Sequence, residues 1–168
     1  PAYKIVGIAE GIADGETVYL QEVQGRDLIN LDSAVVNKGT FTFKGRQDSA
    51  VNRYITYMTD GTRMMADLFL ENGDINVTLG EDSRATGTPN NDIYQEFKDK
   101  FVTYNQEMGE LYQKARTDST LTNEQREELM KQIETKDAEA MDMVYNTIAA
   151  NIANPVGIYL LPNYAAAF

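Results

Sequence analysis

The sequence predicts an α+β chain: an N-terminal antiparallel β-sandwich or open barrel of about seven short strands, then a long antiparallel helical hairpin. Three observations carry this. Before Gly87, short runs rich in Val, Ile, Tyr, Phe and Thr are punctuated by Gly and by Asp-Gly and Asn-Gly pairs, which is strand-and-turn chemistry. After Gly87, apolar residues recur at steps of three and four, the spacing of one helical face. No repeat or low-complexity segment separates the two regimes. The expected organisation is a β-rich part over 1–87, a helical hairpin over 88–154, and an apolar connector over 155–168.

The strands are placed in order. Residues 3–9 form the first, and Asp14-Gly15 signals a turn before a second at 17–23. A third is expected at 28–31. Asn37-Lys38-Gly39 then turns the chain into 40–44, where Phe41 and Phe43 stand two apart and face one side of the sheet. Residues 53–59 make another strand, ended by Asp60-Gly61. The clearest hairpin is expected over 65–79, because Asn72-Gly73 is a two-residue signal for a type I′ turn. Beyond it, Ile75, Val77 and Leu79 alternate with Asn76 and Thr78, as in a half-buried strand.

Thr88 can cap the first helix, and Pro89 suits its first turn, where a missing N–H costs nothing. Tyr94, Phe97, Phe101, Tyr104, Met108, Leu111 and Ala115 line its face. The pattern breaks at 117–121. Thr122 with Gln125 three positions on makes a capping box for the second helix. Its stripe is Leu129, Ile133, Ala140, Val144, Ile148 and Ile152, interrupted at Asp137, and Asn154-Pro155 ends it. Each helix is ~40 Å long at 1.5 Å per residue. The apolar residues Val156, Ile158, Tyr159, Leu160, Leu161, Tyr164 and Phe168 that follow need a surface to cover them.

At 168 residues, 42% of them hydrophobic, the chain can bury a core in one domain or two small ones. The formal charge of −11 is spread evenly. Residues 1–87 hold 8 basic and 13 acidic groups, and residues 88–168 hold 7 and 13. Phosphate contact needs clustered Lys and Arg, so nucleic acid and an anionic membrane surface are not expected partners. No run of 18 or more apolar residues is present, so no membrane span is expected. No signal-peptide pattern is visible, and the start at Pro1-Ala2-Tyr3 reads as processed. Cys and His are absent. That removes thiol chemistry, the commonest general base and the commonest transition-metal ligand.

Chemistry-bearing motifs read as structural. Gly7, Gly11 and Gly15 are followed by a strand, whereas a phosphate loop needs a helix there. Glu107 and Glu110, and Glu124, Glu127 and Glu128, could supply a carboxylate pair of the glycosidase kind, but they fall on polar helix faces. Asp60, Asp67, Glu71 and Asp74 flank turns and could offer oxygen ligands, yet the calcium-loop spacing is absent. Ser33, Ser49, Ser83 and Ser119 sit in no nucleophile motif. No catalytic, cofactor-binding or metal-binding residue is therefore assigned, and no cofactor is expected. The ten tyrosines suit an interface, having an apolar ring and a wet hydroxyl.

Four segments in order, 7–20, 32–45, 68–77 and 86–91, resemble the DUF4369 family. They carry the signatures Gly-Ile-Ala-Glu-Gly-Ile-Ala-Asp-Gly, Asn-Lys-Gly-Thr-Phe-Thr-Phe, Leu-Glu-Asn-Gly-Asp-Ile and Thr-Gly-Thr-Pro-Asn-Asn. That domain stands at the N-terminus of many Gram-negative envelope proteins whose other half is a thioredoxin-like (AhpC/TSA-type) thiol-disulfide oxidoreductase. The helices and residues 154–161 look like the connector to that half. The resemblance implies a non-catalytic accessory domain, periplasmic or anchored at the outer membrane as a lipoprotein, that positions or dimerises the oxidoreductase or binds its client protein. No thioredoxin-like half and no Cys-x-x-Cys lie in these 168 residues, so redox activity would belong elsewhere. The alternatives are a stand-alone envelope binding or structural protein, with the hairpin as a homodimer interface, and a carboxylate-dependent enzyme such as a glycosidase.

Overall fold

The computed structural model describes residues 1–167; Phe168, the last apolar residue of the expected connector, lies outside them. The chain forms two compact units, Pro1–Gln95 and a second from Glu96 onward.

The first unit contains eight strands: β1 (Tyr3–Ala9), β2 (Thr17–Gln24), β3 (Asp27–Val35), β4 (Thr40–Gly45), β5 (Val51–Thr59), β6 (Thr62–Leu70), β7 (Gly73–Leu79) and β8 (Arg84–Thr86). They make two open four-stranded sheets, ordered β4-β1-β7-β8 and β3-β2-β5-β6. The arrangement is thus a sandwich, and the short β8 is a strand beyond the seven expected. Most pairings are antiparallel, but β1 and β7 run parallel, with Tyr3 opposite Gly73 and Ala9 opposite Leu79.

The period-two pattern explains the core. In β1, Tyr3, Ile5 and Ala9 point inward while Lys4, Val6 and Ile8 face water. Phe41 and Phe43 of β4 both point inward, their rings edge to face with centroids 5.9 Å apart. They meet Val18, Leu20, Ile55 and Leu68 of the other sheet in one cluster. Gly7 lies opposite Phe41. A Cβ there would stand 2.0 Å from the phenyl ring, so the missing side chain makes room for the ring.

Two turn signals resolve differently. Asn37 and Thr40 exchange backbone hydrogen bonds across Lys38-Gly39, and both central residues have positive φ (53° and 72°), as a type I′ turn requires. The hairpin expected over 65–79 does not form. β6 pairs with β5 in one sheet, and β7 pairs with β1 and β8 in the other. Asn72-Gly73 is therefore the corner where the chain changes sheets. A two-residue turn signature records a tight reversal and says nothing about which strand will receive the next one.

Three helices follow: α1 (Pro89–Thr117), α2 (Asn123–Ala150) and α3 (Pro155–Tyr164), with a 3-10 turn at Ala165–Ala167. The capping box of α2 is present in full: Gln125 N–H donates to the Thr122 hydroxyl, and Thr122 N–H donates to the Gln125 side chain. Leu129, Ile133, Ala140, Val144 and Ile148 are buried, whereas Ile152 is 58% exposed in the turn beyond the helix. Asp137 is exposed. In the second unit α1 and α2 run antiparallel, since Arg126 donates to the Ala115 carbonyl near the loop and Lys136 pairs with Glu107 at 2.7 Å further along. Residues 155–164 are helical. Val156 and Leu160 are buried, Tyr164 sits about 6 Å from Phe97 and Phe101, and Ile158 and Leu161 stay exposed.

Candidate functional site

A dense polar cluster joins the end of β6 to the start of α1 within the first unit. β6 and β8 are edge strands of the two sheets, and edges carry outward N–H and C=O groups that need partners. Asn91, one turn into α1, supplies them at β6. Its Oδ1 accepts from Phe69 N–H, and its Nδ2 donates to the Phe69 carbonyl, both at 2.8 Å. Gln95, four residues on and thus on the same helix face, accepts from Ala85 N–H of β8 at 3.0 Å. Both side chains are buried, at 1% and 5% exposure. The first two turns of α1 thereby bridge the two sheet edges.

Glu71 fixes where the helix begins. One carboxylate oxygen accepts from the Thr88 hydroxyl (2.7 Å) and the Asn90 amide (3.0 Å), and the other accepts from the Asn90 side chain (2.8 Å). An acid at a helix N-terminus also meets the favourable end of its dipole. Thr88 occupies the expected cap position, but the acceptor for the Asn90 helix amide is Glu71, nineteen residues earlier and just past the end of β6. Asp92 accepts from Gly87 N–H at 2.8 Å. Nearby, Asp67 accepts from Tyr94 and Asn52, each at 2.5 Å, and the Tyr94 ring packs edge-on to Phe69 at 5.2 Å. Asn72 holds the loop between β4 and β5: it accepts from Gln47 N–H (3.0 Å) and donates to the Gln47 carbonyl (2.7 Å).

The residues considered for chemistry fall into place around this. Asp67 and Glu71 are engaged by protein donors, while Asp60 is exposed at the β5–β6 turn and Asp74 lies on the outer face of β7. Among the described residues no group of acids is placed to hold a metal ion. Glu107, Glu110 and Glu128 come together with Leu111, Lys131 and Lys136 along a groove of about 410 Å³ between α1 and α2. The hydrogen bond from Lys136 to Glu107 holds that ammonium above its ordinary range. Glu127 lines a separate groove beside Arg126 and Met130, and Glu124 lies in the first turn of α2. Ser83 closes a small loop with Gly80, donating and accepting at 3.1 Å. Ser33 and Ser49 contribute backbone atoms to local hydrogen bonds, and Ser119 is exposed between the helices. Gly11 and Gly15 take positive φ in the link to β2, with a strand following.

Asn52, Asn91 and Gln95 were not singled out by sequence. A signal existed: Asn91 and Gln95 share the apolar face with Tyr94 by steps of three and four, so they are polar residues at buried positions, which must be hydrogen-bonded.

No helix among the described residues is long and apolar enough to cross a membrane. A family model described as "Domain of unknown function (DUF4369)" matches residues 3–94, nearly the extent of the first compact unit. No curated protein and no solved structure matches the chain.

Proposed function

This chain belongs to the DUF4369 family, and from that premise we propose that it is a non-catalytic, protein-binding accessory domain of a thiol-disulfide oxidoreductase in the Gram-negative periplasm. Its work is to present and orient a thioredoxin-like half or that half's client. One observation carries the reading. The polar residues of the family-like segments 68–77 and 86–91 are engaged with protein groups: Glu71 and Asn91 join the helix to the sandwich, and Asn72 holds a loop. Polar groups committed to internal partners favour a rigid scaffold, and a rigid scaffold suits a module that positions something else.

The gene beyond codon 168 tests the proposal. An in-frame thioredoxin-like segment with Cys-x-x-Cys is the expected result. A stop codon there would overturn it and leave a stand-alone envelope binding protein.

A further inference from the structure

Asn72-Gly73 is the one Asn-Gly pair in the sequence. With no Cβ on Gly73, little hinders its amide nitrogen from approaching the preceding carboxamide. We propose that Asn72 is a latent deamidation site whose reaction the folded sandwich blocks, and whose completion frees the loop 46–50 irreversibly.

The reaction needs two groups free. The Gly73 amide nitrogen attacks Asn72 Cγ and gives up its proton. The Cγ–Nδ2 bond breaks and ammonia leaves. Water then opens the cyclic imide, restoring the Gly73 N–H and leaving a carboxylate on residue 72, as aspartate or isoaspartate. The net change is hydrolysis of one amide, with no oxidant or reductant.

Both groups are held. Gly73 N–H donates to the Ala2 carbonyl at 2.9 Å, at the head of the parallel ladder that pairs Tyr3 with Gly73. The Asn72 carboxamide is fastened at both ends to the Gln47 backbone, at 3.0 and 2.7 Å. Tyr3 is buried and packs over Gly45, where a Cβ would fall 2.4 Å from its hydroxyl. Attack therefore waits until residues 2–3 leave β7 and the loop lets go of Asn72. The product cannot return: a carboxylate at 72 has no donor for the Gln47 carbonyl, and it stands between Glu71 and Asp74, where like charges repel.

The test is incubation of the whole chain at mildly alkaline pH, folded and in urea, with peptide mapping for the amide-to-acid mass gain at residue 72. Modification in urea is expected, and at a rate about tenfold or more slower in the folded chain, since only the locally opened fraction reacts. Equal rates, or no reaction in urea, would overturn the proposal. Gln47→Pro removes the N–H given to Asn72. A folded Q47P chain is expected to react faster than wild type, and a folded Q47P chain as slow as wild type would remove the clamp from the explanation. The wild-type comparison decides the proposal even where Q47P does not fold.

Discussion

The carboxamide of Asn91 stands in for a strand residue at Phe69, taking its N–H and meeting its carbonyl at 2.8 Å each. An antiparallel neighbour would exchange the same pair of bonds. Here one side chain of a helix supplies them, and β6 ends its sheet without leaving that residue's edge bare.

Asn91→Ala should therefore cost more than a polar surface change. It removes both bonds between this carboxamide and the buried Phe69 backbone, a loss of about 1–3 kcal/mol at the usual net value of two hydrogen bonds. Urea midpoints at constant slope measure it. A shift under about 0.5 kcal/mol, the range of neutral surface substitutions, would show that the bridge contributes nothing.

Two glycines should respond in opposite directions. A Cβ on Gly157 would meet the Asn151 carbonyl oxygen at 1.9 Å, whereas one on Gly109, inside α1, meets nothing within 4 Å. Gly157→Ala is expected to destabilise by about 3 kcal/mol through overpacking against backbone. Gly109→Ala should stabilise by about 0.5–1 kcal/mol. Thermal melts of the two variants decide both.

Alkaline titration should show late-ionising tyrosines. Burial, and secondarily the charge of Asp32, raises the Tyr3 phenol above its ordinary value; burial raises Tyr164. The folded state then keeps protons that the unfolded chain releases. This contribution is complete below about pH 10, the ordinary phenol value, and is lost as pH rises through the raised values. Tyrosinate absorbance followed against pH should lose its latest component in Tyr3→Phe and in Tyr164→Phe.

The purified chain should leave insulin disulfides intact. Exchange needs a thiolate, and the sequence has no cysteine. Turnover above buffer would contradict this.

What was legible in the sequence is what is local. Strand alternation in β4 and β7, the Thr122–Gln125 box and the α2 stripe from Leu129 to Ile148 depend on residues a few positions apart, and they stand as expected; Ile152, at the far end of that stripe, falls outside the helix. The failed hairpin and the unforeseen bridge share another cause. Whether Asn72-Gly73 joins two strands of one sheet, and whether Asn91 faces water or Phe69, depends on partners brought near by the sheet order β3-β2-β5-β6. Composition and spacing do not encode that order. Glu71 looked like a turn acid for the same reason: its partners are 17 and 19 residues away.

Insertions should be unevenly tolerated along this chain. Connecting segments usually accept added residues, and the exposed turn around Ser119 offers such a place. The two-residue step from β8 to α1 does not. Each residue turns a helix by about 100°, so one extra position between Thr86 and Pro89 puts Asn91 and Gln95 out of phase with Phe69 and Ala85. Gly87-Thr88 is a phase-locked joint, and descendants of this sequence should vary in the letters around it far more readily than in its length.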